Sequence, residues 1–358
     1  MNVALAGLPL SGKTCLFNAL TEGAVDAAAS PARADHPNAA VVAVPDERLD
    51  WLFEHYHPGR RVPVHIEWLD LPGLTPGRSD LASQNTAIAE YLRRADALVY
   101  VLRAFESDRV PGRVDPKADR NALAAEFLIS DLDIVLRRID KIESQLTKPI
   151  PHREALKHEL DFLVLCRETL EAERLLHDIA RTEAQRAILR NFAALTEKPV
   201  LTVLNVGEDQ AGRPEAVAQA YPDIAPPMVA LCASLEAEIA QLAADERQAF
   251  MQELGIDRLR ARDVLLAVHR AMGRITFYTA GDPEVTARSI PRGTTAVDAA
   301  GDVHTDMARG FIRAEVVSFE HLQKAGDLKR ARADGHVRLE GRDYVVQDGD
   351  VILFHFSR

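Results

Sequence analysis

Residues 7 to 14 read Gly7-Leu8-Pro9-Leu10-Ser11-Gly12-Lys13-Thr14, and no other stretch restricts the possible folds as tightly. The pattern G-x-x-x-x-G-K-S/T needs a strand before it and a helix after it, because its backbone N–H groups must converge on an oxyanion at a helix N-terminus. Both flanks comply. Asn2-Val3-Ala4-Leu5-Ala6 is a short apolar run of strand type, and Cys15-Leu16-Phe17-Asn18-Ala19-Leu20 reads as the first turns of an amphipathic helix. Gly7 and Gly12 are expected at positive φ, where the chain can approach a phosphate closely. Leu10, Ser11 and Gly12 then cradle the phosphates through their backbone. Lys13 bridges the β- and γ-phosphates, Thr14 offers its hydroxyl to Mg²⁺, and Thr14 and Cys15 reach the α- and β-phosphates.

The rest of the chain supplies the partners such a loop needs. Residues 24–45 lack regular period until Val41-Val42-Ala43-Val44, so a loop leads into a strand. Residues 62–70 alternate as a strand and end in Asp70-Leu71-Pro72-Gly73. There Asp70 can hold Mg²⁺ through water and the Gly73 N–H can meet a γ-phosphate. Lys13 and Gly73 are therefore the candidate catalytic groups. Residues 95–102, 198–205 and 228–231 are further apolar strands, the second running into Asn205-Val206-Gly207-Glu208 and the third into Cys232-Ala233-Ser234. Strands alternating with helical stretches predict a doubly wound, mostly parallel α/β sheet with ligand loops at the C-terminal strand ends.

Two further regions stand apart. Between residues 122 and 194 the period becomes helical, with Leu132, Val135, Leu136, Ile139 and Ile142 on one stripe and Leu156, Leu160, Leu163 and Leu170 on another. Lys148-Pro149-Ile150-Pro151 separates them, which predicts an inserted antiparallel helical hairpin. From about Ile275 the texture changes to short β segments, with Asp348-Gly349 as a hairpin signal between apolar runs. The expected organisation is a nucleotide domain over residues 1–275 carrying the insertion, then a compact α+β domain over 276–358. His304 and Asp306 in the latter read as a surface pair.

Charge and composition exclude several classes. A formal net charge of −11 opposes non-specific nucleic-acid binding by the whole surface, so DNA is not an expected partner, although a local basic patch remains open. Cys15, Cys166 and Cys232 have neither metal-ligand nor disulfide-framework spacing. No apolar run reaches the length of a membrane span and no secretory signal begins the chain, so a cytoplasmic location is expected.

The order of motifs resembles the YchF or Obg-like ATPase branch of the translation-factor GTPases. The resemblance rests on Gly7-Leu8-Pro9 with Gly12-Lys13-Thr14, Val44-Pro45-Asp46 with Arg48-Leu49-Asp50, Asp70 with Gly73-Leu74, and Asn205-Val206 with Glu208. It continues through Cys232-Ala233 with Glu236-Ala237-Glu238, Tyr278-Thr279-Ala280-Gly281, His304-Thr305-Asp306 and Gly310-Phe311-Ile312-Arg313. What it implies is a nucleotide domain with a helical arm, a C-terminal β-grasp domain of TGS type, and association with ribosomes or RNA. The chain also departs from the pattern. Leu10 and Ser11 stand where the family has Asn and Val, Ala34 matches a switch-loop Thr that completes the Mg²⁺ shell, and only Gly77 remains of a glycine-rich switch.

Two functions follow as expectations. One is slow, Mg²⁺-dependent hydrolysis of ATP, or of GTP, with no Gln after Gly73 to orient water. The other is nucleotide-dependent binding with negligible turnover. Guanine-specific proteins read the base with N-K-x-D, whereas here Val206 replaces the Lys and Glu208 is one methylene longer than Asp. Adenine is expected instead, held by Asn205, Val206, Glu208 and Ser234.

Overall fold

The structure is a computed structural model that describes residues 1–23, 32–33, 36–110, 113–149, 151–179, 181–224, 226–281 and 283–357. Ala34, matched above to the switch-loop Thr, lies outside the described residues. In chain order the strands are β1 (Asn2–Ala6), β2 (Asn38–Ala43), β3 (Arg61–Val62), β4 (His65–Asp70), β5 (Ala97–Ala104), β6 (Val200–Val206), β7 (Met228–Leu231), β8 (Arg274–Ala280), β9 (Val285–Pro291), β10 (Phe311–Ser318), β11 (Arg338–Glu340) and β12 (Asp350–Phe356). The strand expected over 62–70 is divided at Pro63, which has no N–H to give to a ladder.

The first sheet has the order β2-β4-β1-β5-β6-β7, with β4, β1, β5, β6 and β7 parallel along their shared ladders. Every residue of β5 is buried, which is why it reads as one continuous apolar run rather than an alternation. The second sheet runs β11-β10-β12-β8-β9-β3. β10 is antiparallel to β11 and β12, β8 to β9, while β12 is parallel to β8. Its inner face carries Ile275, Phe277, Val316, Ile352 and Phe354, packed on Ala296, Ala299 and Ala300 of the helix Ala296–Val303, as in a β-grasp. The small alanine face lets the helix sit close to the sheet.

The Asp348-Gly349 turn does not close a hairpin. Both edges of β12 are taken by β10 and β8, and Val345 makes only an isolated bridge to Thr295. The local turn signal is present, with Gly349 at φ 87, but pairing with distant strands outweighs it. His304 caps the short helix Thr305–Arg309, its Nδ1 accepting from the Asp306 N–H at 3.2 Å.

Contacts divide the chain into two compact units, Met1–Val42 with Glu67–Val268, and Ala43–Ile66 with His269–Arg358. Sequence order alone groups Ala43–Ile66 with the nucleotide domain; its partners lie in the second unit. Asp46 caps the helix Glu47–Tyr56 and also accepts the Tyr278 hydroxyl at 2.6 Å. Burial and the Asp46 charge push the Tyr278 hydroxyl pKa up, so it stays a donor. Arg48 bonds Asp348 at 2.7 Å, Trp51 meets Phe319 edge-on, and β3 pairs in parallel with β9.

The helical insertion begins on the first sheet and then leaves it. In the helix Pro116–Leu146, Leu123 and Phe127 belong to the core beneath the sheet, whereas Val135, Ile139 and Ile142 belong to a second core. That second core holds Phe162, Leu163, Cys166 and Leu170 of the helix Arg153–Glu171, with Leu189 of the helix Glu183–Phe192. Leu136, expected on the stripe, turns outward and is 37% exposed. At the change-over sits Asp131, buried, accepting from Arg93 Nη1 at 2.7 Å, Leu195 N at 3.1 Å, and the Thr196 N–H and hydroxyl at 2.8 Å. Removing one side of such a pair leaves a buried uncompensated charge. Asp131→Ala is expected to destabilise the protein by about 3–5 kcal/mol and Asp131→Asn by less, read as the shift in urea unfolding; an unchanged midpoint would show that the arm is held by its apolar core alone.

Candidate functional site

The site is built on the C-terminal ends of β1, β4, β5, β6 and β7. Gly7 ends β1, and a Cβ there would lie 2.7 Å from both Ser11 Oγ and the Val101 carbonyl. Close approach, not positive φ, is what requires glycine at this position. The residues of the loop that do adopt positive φ are Leu10, at 62°, and Gly12, at 93°. Gly12 starts the helix Lys13–Leu20, whose N-terminus carries no side-chain cap and so presents its first N–H groups to a ligand.

Asn205 locks this loop in place. Its Nδ2 donates to the Ser11 carbonyl at 2.9 Å while its Oδ1 accepts from the Ala233 N–H at 2.9 Å. A Cβ on Gly12 would fall 2.0 Å from the same Nδ2. The amide expected to meet a base thus ties the phosphate loop to the turn after β7. Gly73 is equally constrained, since a Cβ would lie 2.4 Å from Pro9 N, and the next residue bonds Gly7 through Leu74 N–H···O at 3.0 Å.

Lys13 lies beneath the loop, its Nζ donating to the Leu8 carbonyl at 2.9 Å and the Gly7 carbonyl at 3.3 Å. Burial lowers its pKa to about 8, against the opposing pull of Asp70. Asp70 is buried, and that burial raises its pKa against the Thr14 hydrogen bond, the Lys13 charge and Asn38. Its Oδ2 accepts from the Thr14 hydroxyl at 2.9 Å and from Asn38 Nδ2 at 3.4 Å. Its Oδ1 has no hydrogen-bond partner among the described residues. An unsatisfied buried carboxylate oxygen beside a hydroxyl is a hard-oxygen pair that suits Mg²⁺, which takes one or two protein oxygens and leaves its other positions to water and phosphate. No cluster of three or more His, Cys, Asp or Glu side chains placed to hold a metal occurs among the described residues.

A cleft of about 1100 Å³ opens above these groups. Leu10, Gly12, Lys13, Thr14, Cys15, Gly73, Asn205, Val206, Glu208 and Ser234 line it, while Ser11 and Asp70 are buried outside its lining. On the far side Ser234 Oγ donates to Glu208 Oε1 at 3.4 Å and lies 3.3 Å from Cys232 Sγ. Sequence reasoning missed Asn38, which follows a stretch without periodicity, and the wall formed by Glu106, Ser107 and Arg109. The only trace of that wall in the sequence is a polar connection after the β5 run.

Comparison with known proteins finds relatives along the whole chain. A family model described as "50S ribosome-binding GTPase" matches residues 2–161, and the C-terminal YchF-GTPase model, described as "Protein of unknown function (DUF933)", matches residues 274–357. The chain is 37% identical to the ribosome-binding ATPase YchF of Bacillus subtilis, over 100% of this chain and 99% of that one. It is 33% identical to Obg-like ATPase 1 of Caenorhabditis elegans, over 100% of this chain and 92% of that one. The solved structure of the Schizosaccharomyces pombe YchF GTPase superposes with a TM-score of 0.83 at 26% identity, covering 99% of this chain and 97% of that one.

The depressed Lys13 pKa sets a pH dependence. A phosphate near Lys13 raises its pKa, so binding takes up a proton only where the free lysine has lost it. Triphosphate affinity is expected to be flat below about pH 8 and to fall about tenfold per pH unit above it. Titration calorimetry across pH 7 to 10 checks this, and the slope should vanish in Lys13→Ala.

Proposed function

Because the chain belongs to the YchF family of ribosome-binding and Obg-like ATPases, we propose that it binds ATP with Mg²⁺, hydrolyses it slowly, and couples its nucleotide state to association with ribosomes or RNA. The observation that carries this reading is the trio of buried Lys13, half-buried Thr14 and buried Asp70, with the spare Asp70 oxygen. Thr14 and Asp70 are the residues that would hold Mg²⁺. The ion held there would supply positive charge against the charge developing on the phosphates. Lys13 would exchange its two carbonyl partners for phosphate oxygens, and the Gly73 N–H, fixed against Pro9, would sense the γ-phosphate.

Slow turnover follows from what stands after Gly73. Leu74 is buried in the core and presents no polar atom to a water. The same observation favours the second reading, nucleotide binding with negligible hydrolysis. Single-turnover hydrolysis of ATP with and without ribosomes separates them, acceleration by ribosomes supporting the first. Asp70→Asn should shift the Mg²⁺ dependence more than it shifts nucleotide affinity in EDTA; an unmoved metal titration would make Asp70 structural.

The base preference rests on Val206 and on Glu208 held by Ser234. A carboxylate tethered in this way and set one methylene further out misplaces the paired bonds that guanine needs, and no Lys packs over the ring. ATP is expected to outcompete GTP at matched Mg²⁺, and Val206→Lys with Glu208→Asp to shift the preference toward GTP. Equal competition in parent and double mutant would remove this turn from base selection.

For the C-terminal unit we read a TGS-like domain that meets RNA or ribosome through a local basic patch. Arg309 and Arg313 are exposed beside the exposed Ile312, Arg309 with a long ion pair to Asp306 at 3.9 Å, and Arg332 is paired with Glu315. Arg309→Glu with Arg313→Glu should weaken co-sedimentation with ribosomes while leaving ATP affinity intact. Association with ribosomes would support a cytoplasmic location. Separately, no described helix is long and apolar enough to cross a membrane.

A further inference from the structure

β5 lies between β1 and β6 in the first sheet; β1 ends at Ala6 opposite Tyr100, and β5 runs on to Ala104, level with Val206 at the end of β6. A nucleotide with its phosphates on the loop after β1 and its base at the turn after β6 must therefore pass over the segment that leaves β5. That segment is a built wall. Arg103 Nη1 donates to the Phe105 carbonyl at 3.3 Å, a Cβ on Gly207 would lie 3.6 Å from Phe105 Cβ, and Ser107 turns the chain back by accepting from Arg109 N at its hydroxyl and from Val110 N at its carbonyl. The turn places Arg109 in the lining of the cleft, where its side chain is exposed and forms no ion pair among the described residues.

The charge around it calls for such a group. The acidic residues lining the cleft are Glu106, Glu208 and Asp209, and the basic ones are Lys13 and Arg109. Lys13 is buried below the phosphate loop with its Nζ on the Gly7 and Leu8 carbonyls, so among the described lining residues Arg109 is the cation on the open side of the cleft that can meet a polyanion. Guanidinium is suited to the task because its planar fork bonds two phosphate oxygens at once and stays charged at all working pH values.

We propose that Arg109 is a second phosphate-binding residue, supplied from the same chain, that contacts the polyphosphate of the bound nucleotide from the side opposite the phosphate loop. This rests on the reading of the cleft as a nucleoside triphosphate site. The test is titration calorimetry of the full chain with ATP and with adenosine at matched Mg²⁺, for the parent, Arg109→Ala and Arg109→Lys. Losing a charge-assisted phosphate contact should weaken ATP about tenfold to a hundredfold in Arg109→Ala. Adenosine affinity should stay at the parent value, and Arg109→Lys should recover part of the ATP loss. Circular dichroism of the exposed-site variants verifies that the fold is retained. A parent that discriminates ATP from adenosine, combined with an Arg109→Ala that binds ATP equally well, would overturn this assignment alone. So would equal weakening of ATP and adenosine, which would put Arg109 on the nucleoside. A parent that binds ATP no tighter than adenosine would overturn the phosphate-loop reading and this one with it.

Discussion

The side-chain amide of Asn205 spans from the phosphate loop to the turn after β7, donating to the Ser11 carbonyl and accepting from the Ala233 N–H. The geometry of the cleft depends on those two bonds. The loop after β1 and the turn after β7 lie on non-adjacent strands, and a hydrogen-bonded bridge at the end of β6 is what keeps their separation fixed. Glycine at position 12 follows from it, because a side chain there would collide with the amide. The same crowding recurs at Gly73, where the backbone of Pro9 fills the space a Cβ would need. A phosphate site made of backbone N–H groups works only if the backbone does not yield, and these contacts supply that stiffness.

Three buried carboxylates show how structure and function divide the same chemistry. Asp131 takes four donors, and Glu236 accepts the backbone N–H groups of Arg260 and Ala261 while burial holds its pKa at about 7. Each oxygen of both is satisfied, so each serves the fold. Asp70 keeps one oxygen without a partner among the described residues, in a place where desolvation makes that costly. That spare acceptor beside Thr14 is what the proposed Mg²⁺ site would use.

The crossover Ala43–Ile66 adds a constraint of connectivity. The chain enters β2 at Asn38, passes into the second unit at Ala43, packs there through Asp46, Arg48, Trp51 and β3, and returns through β4 to reach Asp70. Asn38 and Asp70, which share a hydrogen bond in the site, are thus the two ends of one excursion into the C-terminal unit.

Local features of the sequence determined the phosphate loop, the buried parallel strands, the helical insertion and the compact C-terminal β region. Each rests on short-range physics: a glycine and lysine pattern at fixed spacing, apolar runs without alternation, a helical period, and paired prolines. The same reasoning misplaced Gly7 in φ, Leu136 on the inner stripe and Asp348-Gly349 in a hairpin, because a residue's own preference does not reveal the distant atoms that crowd it or the strands that capture its neighbour. Only the tertiary structure decided that Asn205 braces the loop, that Asn38 meets Asp70, that Arg109 lines the cleft, and that Ala43–Ile66 packs with residues beyond His269. Those assignments depend on pairs of groups tens to hundreds of residues apart, whose proximity is set by strand order and burial and leaves no periodic mark in the chain.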